Sequence, residues 1–325
     1  MNKYRGSDTL YKKLYEYSRT DYYPFHMPGH KRRIMSDYLE NVYALDITEI
    51  DGFDNLHNPS GIIADAQKRA AGMFHSDETY FLVNGSSSGI QAAICALCPP
   101  GSDILAARDC HQSVYHAIEI AGLQPFFIYS DINDKVDISN GIYPQDVEEL
   151  WIRHKNIQAI MITSPTYHGI VSDIRKICKI AHTHNIPVIV DEAHGAHLTF
   201  SDYFPESAVV CGADIVIQSA HKTLPAMTQT ALLHVNGDLV DRDRLRHMLR
   251  VFQTSSPSYL LMGSLDEGLS FIKSEGEALF RSYTEELERF RHLCNEFENI
   301  EIFDGKYSMV LDNMIGICFV VNTDR

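Results

Sequence analysis

The sequence predicts an α/β protein: a mostly parallel central sheet covered by helices on both faces, with a truncated α/β domain starting near the C-terminal end. Two observations predict it. From about Gly61, short continuous β-branched runs alternate with helical patterns, as where strands are joined by crossover helices. The runs are continuous and do not alternate, which suits strands buried on both sides. At 325 residues the chain is long enough for about two domains. We expect an N-terminal arm with helices over 1–60, a ligand-binding large domain over 61–255, and linking helices with the start of a truncated second domain over 256–325.

The elements follow in order. Ser7 to Arg19 reads as a short amphipathic helix, and Pro24, Pro28 and Gly29 end anything regular after it. Helix Gly61–Phe74 leads to strand Thr79–Val83, to the loop Asn84-Gly85-Ser86-Ser87-Ser88-Gly89, and to helix Ile90–Leu97. Strand Ile104–Ala107, helix Ser113–Ala121, strand Phe126–Tyr129 and helix Pro144–His154 come next. Strand Ala159–Thr163, helix Ile174–His184 and strand Pro187–Val190 continue the series, and strands Ile215–Gln218 and Ala231–Val235 complete it. Two helices follow, Leu239–Phe252 and a long stretch from about Tyr259 to Phe297 with a kink expected near Gly276; Met314–Val321 reads as a strand.

Composition excludes several classes. With 45% hydrophobic and 22% charged residues, 19 Gly and 12 Pro, the chain is neither collagen-like nor wholly disordered. No run approaches the roughly 20 apolar residues of a membrane span, and the polar N-terminus lacks the apolar core of a signal peptide. A net charge of −15 argues against nucleic acid and anionic membranes as partners and favours cationic ones. Seven cysteines are scattered; Cys95 and Cys98 form a C-x-x-C inside an apolar helical pattern, where buried thiols are expected. A cytoplasmic, reducing location fits best.

In open α/β sheets, ligands bind beyond the carboxyl ends of the strands. Four predicted strand ends carry chemistry. The Asn84–Gly89 loop offers small residues, hydroxyls and a helix N-terminus to an anion, but lacks the Gly-Lys-Ser/Thr of a nucleotide P-loop. In Arg108-Asp109-Cys110-His111-Gln112-Ser113, His111 is a ring-stacking group, an acid/base, or a satisfied turn histidine. In Asp191-Glu192-Ala193-His194-Gly195, Asp191 ends a buried strand and needs a cationic partner. The same letters spell a helicase box, which the charge and the missing lysine loop oppose. His194 with His197, or His182 with His184, lacks a third ligand at zinc-binding spacing, so no metal is expected. In Gln218-Ser219-Ala220-His221-Lys222-Thr223, Lys222 is a surface lysine or, if desolvated, a nucleophilic amine. Together, a phosphate cradle, a stacking histidine, a buried aspartate for a ring nitrogen and a Schiff-base lysine are what pyridoxal 5'-phosphate needs.

The segment Ser219-Ala220-His221-Lys222-Thr223-Leu224-Pro225-Ala226-Met227-Thr228-Gln229-Thr230 resembles the cofactor-attachment motif of the ornithine/lysine/arginine decarboxylases, which have the aspartate-aminotransferase-like fold. Supporting matches run in family order: Phe25-His26-Met27-Pro28-Gly29-His30-Lys31, the Asn84 and Asp109 loops, Thr163-Ser164-Pro165-Thr166-Tyr167-His168-Gly169, the Asp191 loop and Thr254-Ser255-Ser256-Pro257-Ser258-Tyr259. The resemblance covers about residues 7 to 325. It implies that Lys222 holds the cofactor aldehyde, Asp191 pairs with the pyridine nitrogen, and His111 stacks on the ring. It implies that Ser86, Ser87, Ser219 and His221 hold the phosphate, and that the Thr254–Ser256 segment, with Ser256, reaches the phosphate of a neighbouring subunit in a homodimer or larger assembly. The implied reaction is decarboxylation of lysine, arginine or ornithine to a polyamine precursor, with Lys222 or His194 returning the proton. No receiver-like domain precedes residue 1, as in the short members, and His194 stands where the long enzymes tend to carry tryptophan. The alternatives are an aminotransferase-type reaction on the same fold, or a truncated cofactor-binding protein lacking full activity.

Overall fold

The computed structural model describes residues 8–33, 39–133, 138–294, 296–297, 300–303 and 318–321. Helices α1 (Leu10–Ser18), α2 (Glu40–Leu45) and α3 (Ile62–Phe74) precede strand β1 (Glu78–Leu82), helix α4 (Gly85–Leu97) and β2 (Asp103–Ala107). Helix α5 (Gln112–Ala121), β3 (Gln124–Ile128), a small hairpin of β4 (Ile132–Asn133) and β5 (Ile138–Ser139), α6 (Pro144–Arg153) and β6 (Ile157–Thr163) follow. Then come α7 (Ile174–His182), β7 (Val188–Asp191), β8 (Ile215–Gln218), the one-turn α8 (Ala220–Thr223) and β9 (Ala231–Val235). Helices α9 (Arg242–Phe252) and α10 (Tyr259–Cys294) lead to β10 (Ile300–Phe303) and β11 (Cys318–Val321). The expected last strand is therefore present over 318–321; its 314–317 portion lies outside the described residues. Helix α10 runs unbroken through Gly276.

Seven strands form one sheet in the order β1-β9-β8-β7-β6-β2-β3. Pairs β2–β3, β2–β6, β6–β7 and β7–β8 are parallel, and only β9 opposes its neighbours β8 and β1. The continuous apolar runs are explained by burial on both faces. Ile104, Ala106, Ile189, Ile215 and Ile217 join one core with α4, α5 and α9, whereas Leu105, Val188, Val190 and Val216 join another with α6 and α7. Each fully buried Val, Leu or Ile contributes about 1.5–3 kcal/mol. A third core gathers Phe81 and Leu232 against α1, α3 and α10. Within it Arg69 Nη2 donates to both oxygens of Asp266 at 2.9 Å, and Leu10 N donates to Asp266 Oδ2 at 2.8 Å, tying three helices together.

One expectation is corrected and one is met. Helix α4 starts at Gly85, not Ile90, so the glycine–serine run is its first turn and not a free loop. That start is set by tertiary bonds: Gly85, at φ +75°, donates its N–H to Gln229 O at 2.9 Å. Gly89 then lies so close to the sheet that a Cβ would sit 2.5 Å from Leu82 Cδ1. The C-x-x-C cysteines are buried free thiols, and burial pushes Cys98 up to about 12. Among the described residues no helix is long and apolar enough to cross a membrane.

Candidate active site

Because β1 runs parallel to β8, the carboxyl ends of β1, β2, β6, β7 and β8 lie on one edge of the sheet, and the four chemistry-bearing segments leave from it. Between β8 and β9 the chain has only twelve residues, Ser219–Thr230, in which to turn back. This return carries Lys222 on α8 and is pinned to the start of α4. Gln229, itself at φ +82°, donates Nε2 to Val83 O. Ser219, fully buried, donates Oγ to Ser86 Oγ at 2.9 Å.

The first turn of α4 is left open to an acceptor. Asn84 makes no side-chain cap; its Oδ1 instead accepts Thr254 N at 3.0 Å. Ser88 is buried and donates back to Gly85 O at 2.8 Å, so Ser86 and Ser87 are the half-buried hydroxyls beside uncapped backbone N–H groups.

Asp191, 3% exposed, ends β7. Its Oδ1 accepts Ala193 N at 3.1 Å, the one hydrogen bond to this carboxylate among the described residues. Burial pushes the carboxyl above its usual range, opposed by the Ala193 bond and by the nearby His111 and Lys222 charges. Its cross-strand neighbour Thr163 and the residue after Lys222, Thr223, each hold a buried hydroxyl without a partner. Polar capacity is therefore unspent around the strand ends.

Lys222 Nζ and His194 Nε2 are 3.0 Å apart. Burial, then the Lys222 and His111 charges, lower His194 to about 4, so it is neutral at pH 7 and accepts from the lysine. Of the two readings left open for Lys222, a surface lysine or a desolvated amine, the structure shows the exposed one. His111 is exposed and does a structural task as well, accepting Ser113 N on Nδ1 at 3.2 Å as the N-cap of α5. His221 Nδ1 donates to Thr230 O at 2.8 Å, which leaves Nε2 available. The structure thus joins Lys222 with His194 and Ser219 with Ser86. Ser256 stays apart: it is exposed, and its N–H donates to Thr254 Oγ1 at 3.2 Å.

Sequence reasoning missed Glu192 as part of this region. It is 1% exposed and hydrogen-bonded to Ser207, Ala208 and Gln218, and burial pushes it up to about 7. The available signals were polar residues in apolar strands: Gln218 closing Ile215–Gln218 and His234 within Ala231–Val235. Among the described residues no group of three or more His, Cys, Asp or Glu is arranged to hold a metal.

Comparison with known proteins gives this geometry a family. The model of the family described as "Orn/Lys/Arg decarboxylase, major domain" matches residues 8–325. The chain is 38% identical over 297 residues to the uncharacterized protein YaaO of Bacillus subtilis (strain 168), covering 90% of this chain and 62% of that protein. It is 36% identical over 297 residues to the arginine decarboxylase of Bacillus anthracis, covering 90% of this chain and 60% of that protein. The chain thus spans about three fifths of the length of these curated relatives. The crystal structure of the Francisella novicida lysine decarboxylase LdcF superposes with a TM-score of 0.80 over 91% of this chain and 45% of that one, at 21% identity, a likeness of fold. The sheet, the motif order and the family match over 8–325 agree, and the chain belongs to the Orn/Lys/Arg decarboxylase, major domain, family.

Proposed function

We propose that this chain binds pyridoxal 5'-phosphate and decarboxylates a basic amino acid, lysine, arginine or ornithine, to a polyamine precursor. Asp191 is the observation that carries the reading. A fully buried carboxylate with one hydrogen bond is costly unless a cationic donor meets it, and a pyridinium N–H is such a donor. The other residues fit the same group: Ser86, Ser87, Ser219 and His221 with the open first turn of α4 for the phosphate, the exposed face of His111 for the ring, and Lys222 for the aldehyde. The curated relatives' names and the net charge of −15 support a cationic amino acid as substrate.

When bound, the cofactor supplies an electron sink for the bond pair left as carbon dioxide departs. Asp191 holds a proton on the ring nitrogen by its negative charge. Ser86, Ser87 and Ser219 orient the phosphate end, so the reacting carbon is set by the lysine and the aspartate at the other. Of the two candidates for returning a proton to Cα, Lys222 is favoured: His194 is neutral at pH 7 and accepts from Lys222 on Nε2, so it orients the amine. The exposed Thr254–Ser256 segment and the exposed side chains of Tyr22, Tyr23 and Phe25 support a homodimer in which Ser256 serves the neighbouring subunit's phosphate. The free thiols at Cys95, Cys98, Cys110, Cys178, Cys211 and Cys294 support a cytoplasmic location.

The test is to add pyridoxal phosphate, record the visible absorbance, and assay carbon dioxide and amine from the three amino acids. Keto-acid production would replace the reading by transamination. Lys222→Ala should abolish the visible band while leaving the fold intact, since Nζ contacts only the His194 ring among the described hydrogen bonds; a band of full intensity would remove Lys222 from its role.

A further inference from the structure

The turn after β7 holds a second buried carboxylate one residue beyond Asp191. Glu192 accepts Ser207 Oγ at 2.7 Å, Ala208 N at 2.7 Å and Gln218 Nε2 at 2.6 Å, and its own N–H donates to Ile217 O at 2.9 Å. Gly195 closes the turn by donating its N–H to Glu192 O at 2.9 Å. It has no room for a side chain, because a Cβ there would sit 2.6 Å from Glu192 Cγ. The glutamate stem therefore fills the space beneath the turn that presents Asp191 and His194.

Its polar partners form a chain with one direction. Gln218 spends Nε2 on Glu192, so its Oε1 accepts from His234 Nε2 at 3.1 Å. With the hydrogen on Nε2, His234 Nδ1 accepts from Thr79 Oγ1 at 2.8 Å, and Thr79 in turn accepts from Ser76 Oγ at 2.8 Å. Thr79, His234 and Gln218 are buried, so each bond is costly to leave unmade. Every hydrogen in the chain points toward Glu192, across β1, β9 and β8.

We propose that Glu192 is a positioning residue: as the terminal acceptor of this chain it fixes the 191–195 turn to the end of β8, holding Asp191 and His194 in register with Lys222. The functional consequence rests on the cofactor reading above; the clamp itself does not.

The experiment compares wild type, Glu192→Gln and Glu192→Ala. Pyridoxal phosphate is titrated into each, and the His234 tautomer is read by NMR of protein with nitrogen-labelled histidine. Glutamine keeps the shape but offers a donor where Gln218 now donates. Consistent bonding then requires the whole chain to invert, so His234 should change from Nε2–H to Nδ1–H while cofactor affinity stays within about threefold. Alanine removes both acceptor and stem, and affinity should fall by about tenfold or more, the effect of losing one or two buried hydrogen bonds. Wild-type affinity in Glu192→Ala, or an unchanged His234 tautomer in Glu192→Gln, would overturn the proposal. Should the alanine variant not fold, the tautomer in Glu192→Gln decides alone. If wild type takes up no pyridoxal phosphate, the cofactor reading fails, and the tautomer switch still decides whether Glu192 ends the chain.

Discussion

Asp191→Asn should move stability and cofactor affinity in opposite directions. The carboxylate is 3% exposed with a single hydrogen bond among the described residues. An uncompensated buried ion costs several kcal/mol, and a buried amide with a spare N–H costs about 1–3 kcal/mol, so the exchange should stabilise the unloaded protein by about 1–2 kcal/mol. For a chain of this size that is a rise in melting temperature of roughly 1.5–3 °C. With pyridoxal phosphate the order should invert. Losing a charge-assisted hydrogen bond of about 1.5–3 kcal/mol weakens binding roughly 10- to 100-fold. At a concentration a hundred times the wild-type Kd, the wild type gains about 2.7 kcal/mol of linkage stabilisation. A variant weakened a hundredfold gains only about 0.4 kcal/mol. Thermal unfolding with and without cofactor, beside a visible-absorbance titration, measures both quantities. A variant less stable than wild type before cofactor is added, or one whose lead shrinks by less than about 1 kcal/mol afterwards, would refute the assignment of Asp191 to a cationic ligand.

Two glycines should respond with opposite signs. Gly89→Ala forces a methyl to within 2.5 Å of Leu82 Cδ1 and should cost about 1–2 kcal/mol in urea unfolding, whereas Gly72→Ala meets nothing within 4 Å in α3 and should gain about 0.5–1 kcal/mol. The pH dependence of stability should change on replacing Glu192. Burial lowers His197 to about 4 and His234 to about 3, so below pH 6.5 the unfolded chain binds protons that the folded chain refuses, and stability rises with pH through that window. Glu192, raised from 4.5 to about 7, opposes this: the folded chain keeps a proton that the unfolded chain has lost, so its contribution falls as pH rises. Between pH 5 and 7, Glu192→Gln should therefore gain about 2 kcal/mol more than wild type; parallel curves would show that Glu192 titrates normally.

The seven strands of the main sheet were legible because Val, Ile and Leu are needed on both faces of a sheet covered on two sides, and Ile215–Gln218 and Ala231–Val235 carry that signature apart from Gln218 and His234. The reversed direction of β9 was not, since its pattern is that of any buried strand; the clue was a twelve-residue return containing Pro225, with only four helical residues. Helix α4 was started too late because glycine and serine disfavour helix locally, and Gln229, about 140 residues on, overrides that preference. The residues that converge on the sheet edge were legible as chemistry. Their couplings were not: the Lys222–His194 contact and the Glu192–Gln218–His234 chain arise from strand neighbours distant in sequence.

The position of β1 has a consequence for how the protein is made. Among the described residues it is an edge strand paired with β9 alone, about 150 residues downstream, where Leu82 meets Ala231. At roughly 5–20 residues per second, translation leaves β1 without its partner for about 7–30 s, and the start of α4 waits equally long for Gln229. Through that interval Phe81 and Leu82 stand on a bare strand edge, the kind of surface that recruits other chains. Substitutions that raise the apolar content of β1 should thus reduce soluble yield from cells more than they reduce the stability of the finished fold, and slower synthesis should widen the gap.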